Sequence, residues 1–200
     1  VILGGGVVGE NAAIIATGMK GNVYIVDKSE KRLRQLKEKF GDEIHAINSS
    51  EVDLKKLISN CDLLIGGILI PGAEAPKIIT KEMIRTMKKG SVIVDVAIDQ
   101  GGCVETSKPT THANPTFIVD GVVHYCVANM PGGVPRTSTL ALNKATLPFL
   151  SKLAKDGYIK ALSEDPNFLA GLNVHKGNVT YKAVANVFGH SYVSPEEIIN

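Results

Sequence analysis

Apolar positions follow two rhythms along this chain. Over the first half, short runs of aliphatic and β-branched residues alternate with longer stretches in which charges recur at helical spacing. Val1-Ile2-Leu3 reads as a buried strand, Gly4 to Gly9 as a glycine turn, and Glu10 to Met19 as a small-residue helix that Gly21 ends. Asn22 to Asp27 is a second strand that stops at an acid, and Ser29 opens a charged amphipathic helix reaching Phe40. His45 to Asn48 predicts a short third strand, Glu51 to Ser59 a helix, and Cys61 to Gly66 a fourth strand. Lys81 to Met87 predicts a helix closed by Lys88-Lys89-Gly90, and Ser91 to Asp95 a fifth strand, almost wholly apolar as buried parallel strands are. Such alternation predicts right-handed βαβ units and a doubly wound parallel α/β sheet of Rossmann type, with ligands at the strands' carboxyl ends.

Beyond Asp95 the pattern changes. Gly101 to Pro115 is polar and rich in Pro and Thr, a loop, before Thr116 to Val119 and Val122 to Val127 return as strands. From Thr137 to Lys155 apolar residues fall at helical spacing, with Pro148 inside the run and predicted to kink it. The remainder is helical near Pro166 to Leu172 and Val179 to Val187. It has too few apolar residues for a core of its own and is expected to pack on a partner domain. The chain opens at Val1, already inside a strand and without Met, and so reads as a fragment of a longer polypeptide.

Composition narrows the function. With 44% hydrophobic and 21% charged residues over 200 positions, the chain is an ordinary globular one, long enough for a sizeable core. Twenty glycines and no Trp point to close backbone turns around a ligand. A net charge of +2 without a basic run argues against nucleic acid as a partner. The longest apolar stretch, Leu63 to Ile70, is too short to span a bilayer, so no membrane partner is expected. Cys61, Cys103 and Cys126 fit no zinc or C-x-x-C spacing and read as reduced thiols of a cytoplasmic protein. The five histidines show no metal-ligand spacing, and no metal is predicted. A G-x-S-x-G elbow is missing, as is the Lys-Ser/Thr of a P-loop.

Gly4-x-Gly6-x-x-Gly9 carries a mechanism. The first glycine permits a tight turn, the second lets a pyrophosphate approach the backbone, and the third lets helix and strand pack closely. The helix N-terminus then offers free N–H groups and its positive dipole end to the phosphates. Asp27 stands where a ribose-binding acid belongs, which favours NAD(H) over NADP(H); read alone it is equally a helix N-terminal acid, and Arg32 leaves NADP binding open. Asp99, just past the fifth strand, is a candidate for chemistry or nicotinamide positioning, or else a turn residue before Gly101-Gly102. Asn129, past the last strand, either offers its amide to a carboxamide or satisfies a turn.

Together the blocks Gly4 to Ala13, Leu69 to Lys77, Asp95 to Gly102 and Val127 to Thr139 resemble the NAD-dependent alanine dehydrogenases, over essentially the whole chain. Within the wider group, transhydrogenases tend to read Glu-Ala-Gly-Gly at Asp99-Gln100-Gly101-Gly102 and lack the long stretch after Asn129, so alanine dehydrogenase fits better. The resemblance implies reversible oxidative deamination of L-alanine, with NAD+ and water giving pyruvate, ammonium and NADH. It implies Asp99 as the catalytic aspartate, Val7 and Val8 at the pyrophosphate, Asp27 and Arg32 at the adenosine ribose, and Ser49 on the adenine side. Ile68, Leu69 and Val96 would line the cofactor cleft, Val127, Asn129 and Met130 would flank the nicotinamide, and Lys108 stands where relatives can carry Arg.

It also implies residues 1–135 as the cofactor domain and 136–200 as part of a substrate domain whose Lys, His and Arg belong to an amino-terminal half. A homohexamer is the implied assembly. Two other functions remain open from the sequence: a transhydrogenase-like NAD(H)-binding subunit, and a non-catalytic dinucleotide-binding module.

Overall fold

The structure is a computed structural model that describes residues 1–70 and 74–199. It divides into two compact units, Val1–Met130 and Pro131–Asn200.

The first unit holds β1 (Ile2–Leu3), α1 (Val7–Gly18), β2 (Val23–Asp27), α2 (Glu30–Phe40), β3 (Ile44–Asn48), α3 (Leu54–Ser59), β4 (Leu63–Gly66), α4 (Lys81–Ile84), β5 (Val92–Asp95), β6 (Thr116–Val119) and β7 (Val122–Tyr125). The strands form one sheet in the order β3-β2-β1-β4-β5-β7-β6, parallel throughout except for β6, which pairs antiparallel with β7. This is the doubly wound α/β architecture, and its strand order reverses between β1 and β4. Alternating side chains sort onto the two faces: Ile2 packs with Ile25, Leu36 and Ile44, whereas Leu3 packs with Val26, Leu64 and Ile93. Side-chain oxygens of Ser29, Asp53 and Thr80 accept from backbone N–H groups three residues on and start α2, α3 and α4.

Some boundaries differ from the sequence expectation. Helix α1 begins at Val7 rather than Glu10, because extended Gly6 is its N-cap and Val7 and Val8 already wind as helix. Helix α4 ends at Ile84, and Thr86 and Met87 follow in tighter turns onto Met83 and Ile84. After β5 the chain winds into a 3-10 turn over Val96–Gln100, ended by left-handed Gly101 (φ 87°). Val127 falls outside β7 but still bridges Thr110.

The second unit contains α5 (Pro135–Asp156), α6 (Tyr158–Ser163), α7 (Pro166–Leu169), the strands β8 (Val174–His175) and β9 (Asn178–Val179), α8 (Lys182–Phe188) and α9 (Pro195–Ile198). Helix α5 runs on through Pro148, and none of its residues is buried; Leu140, Leu142, Leu147 and Leu150 are all exposed. The core is a small cluster of Leu162, Leu169 and Ile199 with Phe168 and Leu172 against it. Val179 belongs to an antiparallel hairpin and not to the predicted helix, because Lys176 and Gly177 both take positive φ and reverse the chain.

Candidate functional site

The carboxyl ends of the parallel strands form one edge of the sheet, where the candidate residues gather. At the end of β1 the three glycines do different work. Gly4 is left-handed (φ 91°), and a Cβ there would lie 2.8 Å from the Gly67 carbonyl oxygen beyond β4. A Cβ on Gly9 would lie 1.9 Å from the Gly4 carbonyl oxygen, so α1 sits against β1 as only glycine permits. A Cβ on Gly6 would meet nothing within 4 Å. Gly6 thus caps α1 without a side chain and leaves the helix's first-turn N–H groups facing open space. Val7, 80% exposed, and Val8 flank that opening. A pyrophosphate fits a turn shaped in this way.

One strand over, Asp27 closes β2 with both oxygens in use: Oδ2 accepts from Gly5 N at 2.7 Å and Oδ1 from Ser29 N at 2.8 Å. A carboxylate has about four acceptor sites, so capacity for ribose hydroxyls remains. Ser49, just past β3, donates its N–H to the Asp27 carbonyl and stands exposed beside it. Arg32 donates Nε to Gly5 O at 2.5 Å and ion-pairs with Glu10 of α1, whose other oxygen takes Lys39 at 2.5 Å. Lys39 first, then Arg32, hold the Glu10 carboxyl below its ordinary range.

Asp99 lies exposed in the 3-10 turn after β5 and accepts from the backbone N–H of Asn129 at 3.3 Å. Asn129 is left-handed (φ 55°), and its carbonyl oxygen contacts His112 Nε2 at 3.1 Å. The ends of β5 and β7 are thereby tied through the proposed catalytic carboxylate. Strands β2 and β5, which Asp27 closes and Asp99 follows, stand three strand spacings apart, roughly 14 Å, a span suited to an extended dinucleotide. Ile68 and half-buried Val96 follow β4 and β5, Leu69 is exposed, Val127 is buried, and Met130 is partly exposed. Lys108 lies apart: its ammonium sits over the Phe117 ring of β6, 4.6 Å from the centroid. Of the matched block Leu69 to Lys77, residues Pro71, Gly72 and Ala73 lie outside the described residues.

Four residues before Asp99 stands a carboxyl group that the sequence did not single out. Asp95, the last residue of β5, is 0% exposed and accepts from Cys103 N at 3.3 Å, Val104 N at 3.2 Å and Ser107 Oγ at 2.6 Å. A Cβ on Gly102 or Gly66 would collide with this carboxyl or with Cys103, which explains small residues at both places. Lys77 donates to the carbonyls of Gly101 and Gly102, at 2.9 Å for the latter, and fastens the loop from the other side. Burial, with Asp95 adding to it, pushes the Cys103 thiol from 9.0 to about 12; burial also raises Cys126. Burial lowers His124, whose Nδ1 faces the Val122 carbonyl at 3.0 Å. A carbonyl only accepts, so Nδ1 carries the proton and Nε2 accepts from Thr106 Oγ1 at 2.7 Å. An acid closing an otherwise apolar buried strand was the available signal for Asp95. For Lys77 no local pattern existed.

A doubly wound sheet whose first turn opens a helix N-terminus, with an acid closing the second strand, defines a dinucleotide-binding domain. The chain belongs to the alanine dehydrogenase/PNT C-terminal domain family, whose pattern matches residues 1–182. It is 57% identical over 198 residues to an alanine dehydrogenase of Halomonas elongata, covering 99% of this chain and 53% of that protein. To alanine dehydrogenase 2 of Staphylococcus aureus it is 52% identical over 200 residues, 100% of this chain and 54% of that one. Among solved structures it superposes on an L-alanine dehydrogenase with a TM-score of 0.83 at 48% identity, covering 94% of this chain and 52% of the other. On a transhydrogenase from Sinorhizobium meliloti the TM-score is 0.72 at 26% identity, covering 91% and 49%. The chain thus spans about half the length of the relatives it matches. Among the described residues, no helix is long and apolar enough to cross a membrane.

Proposed function

We propose that this chain is the NAD(H)-binding part of an alanine dehydrogenase, an oxidoreductase that converts L-alanine, NAD+ and water to pyruvate, ammonium, NADH and a proton. The observation that carries the reading is the arrangement along one sheet edge: an open helix N-terminus at Gly6, an acid at Asp27, and an exposed carboxylate, Asp99, tethered to Asn129. The bound nicotinamide supplies the hydride acceptor. First-turn N–H groups of α1, beside Val7 and Val8, hold the pyrophosphate; Asp27 with Arg32 and Ser49 borders the adenosine; Ile68, Leu69 and Val96 form the wall. Asp99, Val127, Asn129 and Met130 face the nicotinamide. Lys108, whose ammonium rests on the Phe117 ring, completes the set.

Hydride leaves the substrate Cα readily only as the amine gives up its proton, and Asp99 is placed to favour that charge change. The remaining acid–base and carboxylate-binding groups come from an amino-terminal substrate domain, to which the segment from residue 136 also belongs. Helix α5, without one buried residue, supports that assignment and offers apolar surface for a homohexamer. Three free cysteines, all buried, support a reducing, cytoplasmic setting. The 48–57% identity to alanine dehydrogenases, against 26% to the transhydrogenase, favours amino-acid oxidation over hydride exchange between nucleotides.

Two measurements test the reading. NADH titrated into the chain should bind with saturable heat, and absence of heat with a folded chain refutes it. In a polypeptide carrying this chain behind its substrate domain, L-alanine should reduce NAD+, and Asp99→Asn should lower turnover by about a hundredfold or more with NADH binding retained. Full turnover in that variant removes Asp99 from the chemistry.

A further inference from the structure

We propose that Glu10 is a specificity-determining residue: it occupies the Arg32 guanidinium and so withholds it from a dinucleotide's 2′-phosphate. The inference rests on the dinucleotide reading above and deepens it.

Arg32 lies in the first turn of α2, next to the acid that ends β2. A Cβ built on Gly5 would have Asp27 Oδ2 at 3.4 Å and Arg32 Cγ at 3.5 Å, so the acid and the arginine stem border the same side of the glycine turn. An arginine in this position is the ordinary partner of a 2′-phosphate, because its planar fork matches phosphate oxygens. Here every nitrogen of the fork is engaged. Nε donates to Gly5 O, one terminal nitrogen to Gln35 Oε1 at 3.2 Å, and the other to Glu10 Oε2.

Glu10 is well placed for this task. It stands in the first turn of α1, where a negative charge is favoured by the helix dipole, and its side chain is only 23% exposed. Its second oxygen is taken by Lys39, two turns further along α2 than Arg32. Among Asp27, Glu10, Arg32 and Lys39, two anions stand against two cations, and a 2′-phosphate adds close to two further negative units. Neutralising Glu10 leaves two cations against one anion and frees a terminal guanidinium nitrogen.

The test compares NADH and NADPH affinities of the chain by reduced-nicotinamide fluorescence, which no tryptophan obscures because the sequence has none. Glu10→Gln should lower the NADPH-to-NADH ratio of dissociation constants roughly tenfold, the worth of one released charge-assisted contact. The gain should vanish in Glu10→Gln/Arg32→Met, and Lys39→Met should give none. An unchanged ratio in folded Glu10→Gln overturns the proposal. So does a gain that survives loss of Arg32, since Glu10 would then act by its own repulsion. Arg32→Met in the otherwise unaltered chain removes a residue that borders the adenosine and should weaken NADH and NADPH alike, leaving their ratio where it was; selective weakening of NADPH would show the guanidinium already free and also overturn the proposal, whether or not Glu10→Gln folds. Failure of the unaltered chain to bind NADH strikes the underlying reading and not this residue assignment.

Discussion

At the carboxyl ends of β1 and β2 the candidate site comes from one short turn, a helix start and one acid. At the β5–β7 end it comes from side chains drawn together over distance, with Asp95 gathering Cys103, Val104 and Ser107, Lys77 pinning Gly101 and Gly102, and Asp99 reaching Asn129. Phosphate groups of any dinucleotide ask for N–H donors, and a helix N-terminus has them unassisted. Chemistry asks for one carboxylate held in place, and holding it requires a buried, satisfied scaffold. The two ends should therefore fail differently when altered.

The largest effect should come from the scaffold. Asp95→Ala leaves two buried N–H groups and the Ser107 hydroxyl without their acceptor, and should cost about 4 kcal/mol in urea unfolding. A loss under about 1 kcal/mol would show that the β5–β7 end does not depend on this group. At the other end, two glycines separate packing from binding. Gly9→Ala should destabilise by about 3 kcal/mol, because its methyl would meet the Gly4 carbonyl. Gly6→Ala, with open space at the same atom, should change stability by less than about 0.5 kcal/mol while weakening NADH binding at least roughly tenfold. Equal stability losses at both positions would erase the distinction.

A subtler contrast lies in pH. The raised Cys103 pKa means that its contribution is complete below pH 9.0 and is lost as pH rises towards about 12, since the unfolded chain ionises first. His124, lowered by burial from 6.5, contributes fully above that value and less as pH falls past it. Thermal melts should show Cys103→Ser flattening the alkaline limb alone, and His124→Gln the acid limb alone. Smallest of all, Leu142→Ala on α5 should shift the melting of this chain by less than about 0.5 kcal/mol, since the side chain is 63% exposed. A cost near that of a core leucine would mean that the helix face is covered.

How much could be read without coordinates follows the same division. The β-rich runs, the glycine turn and Asp27 were legible because they are local: strand propensity, turn chemistry and an acid at a strand end need no distant partner. The start of α1 was misplaced by three residues, because Gly4 to Gly9 was read as one glycine turn, whereas the turn ends at Gly6, whose extended backbone caps a helix that already includes Val7 and Val8. Val179 was read as the start of a helix but closes the β8–β9 hairpin, since only its backbone shows that Lys176 shares the left-handed turn with Gly177. Glu10 passed as an ordinary helix residue until α2 brought Arg32 and Lys39 against it.

The order of polar and apolar residues by itself determined a parallel sheet, the turn at its first strand and the acid across from it, for these arise from neighbours within about a dozen positions. Tertiary structure alone decided that Asp95 is a buried anchor, that Asp99 is tied to Asn129, and that Arg32 is occupied by Glu10. The physical reason is that a hydrogen bond or ion pair acts over a few ångströms, whereas its partners stand 8 to 30 residues apart in the chain.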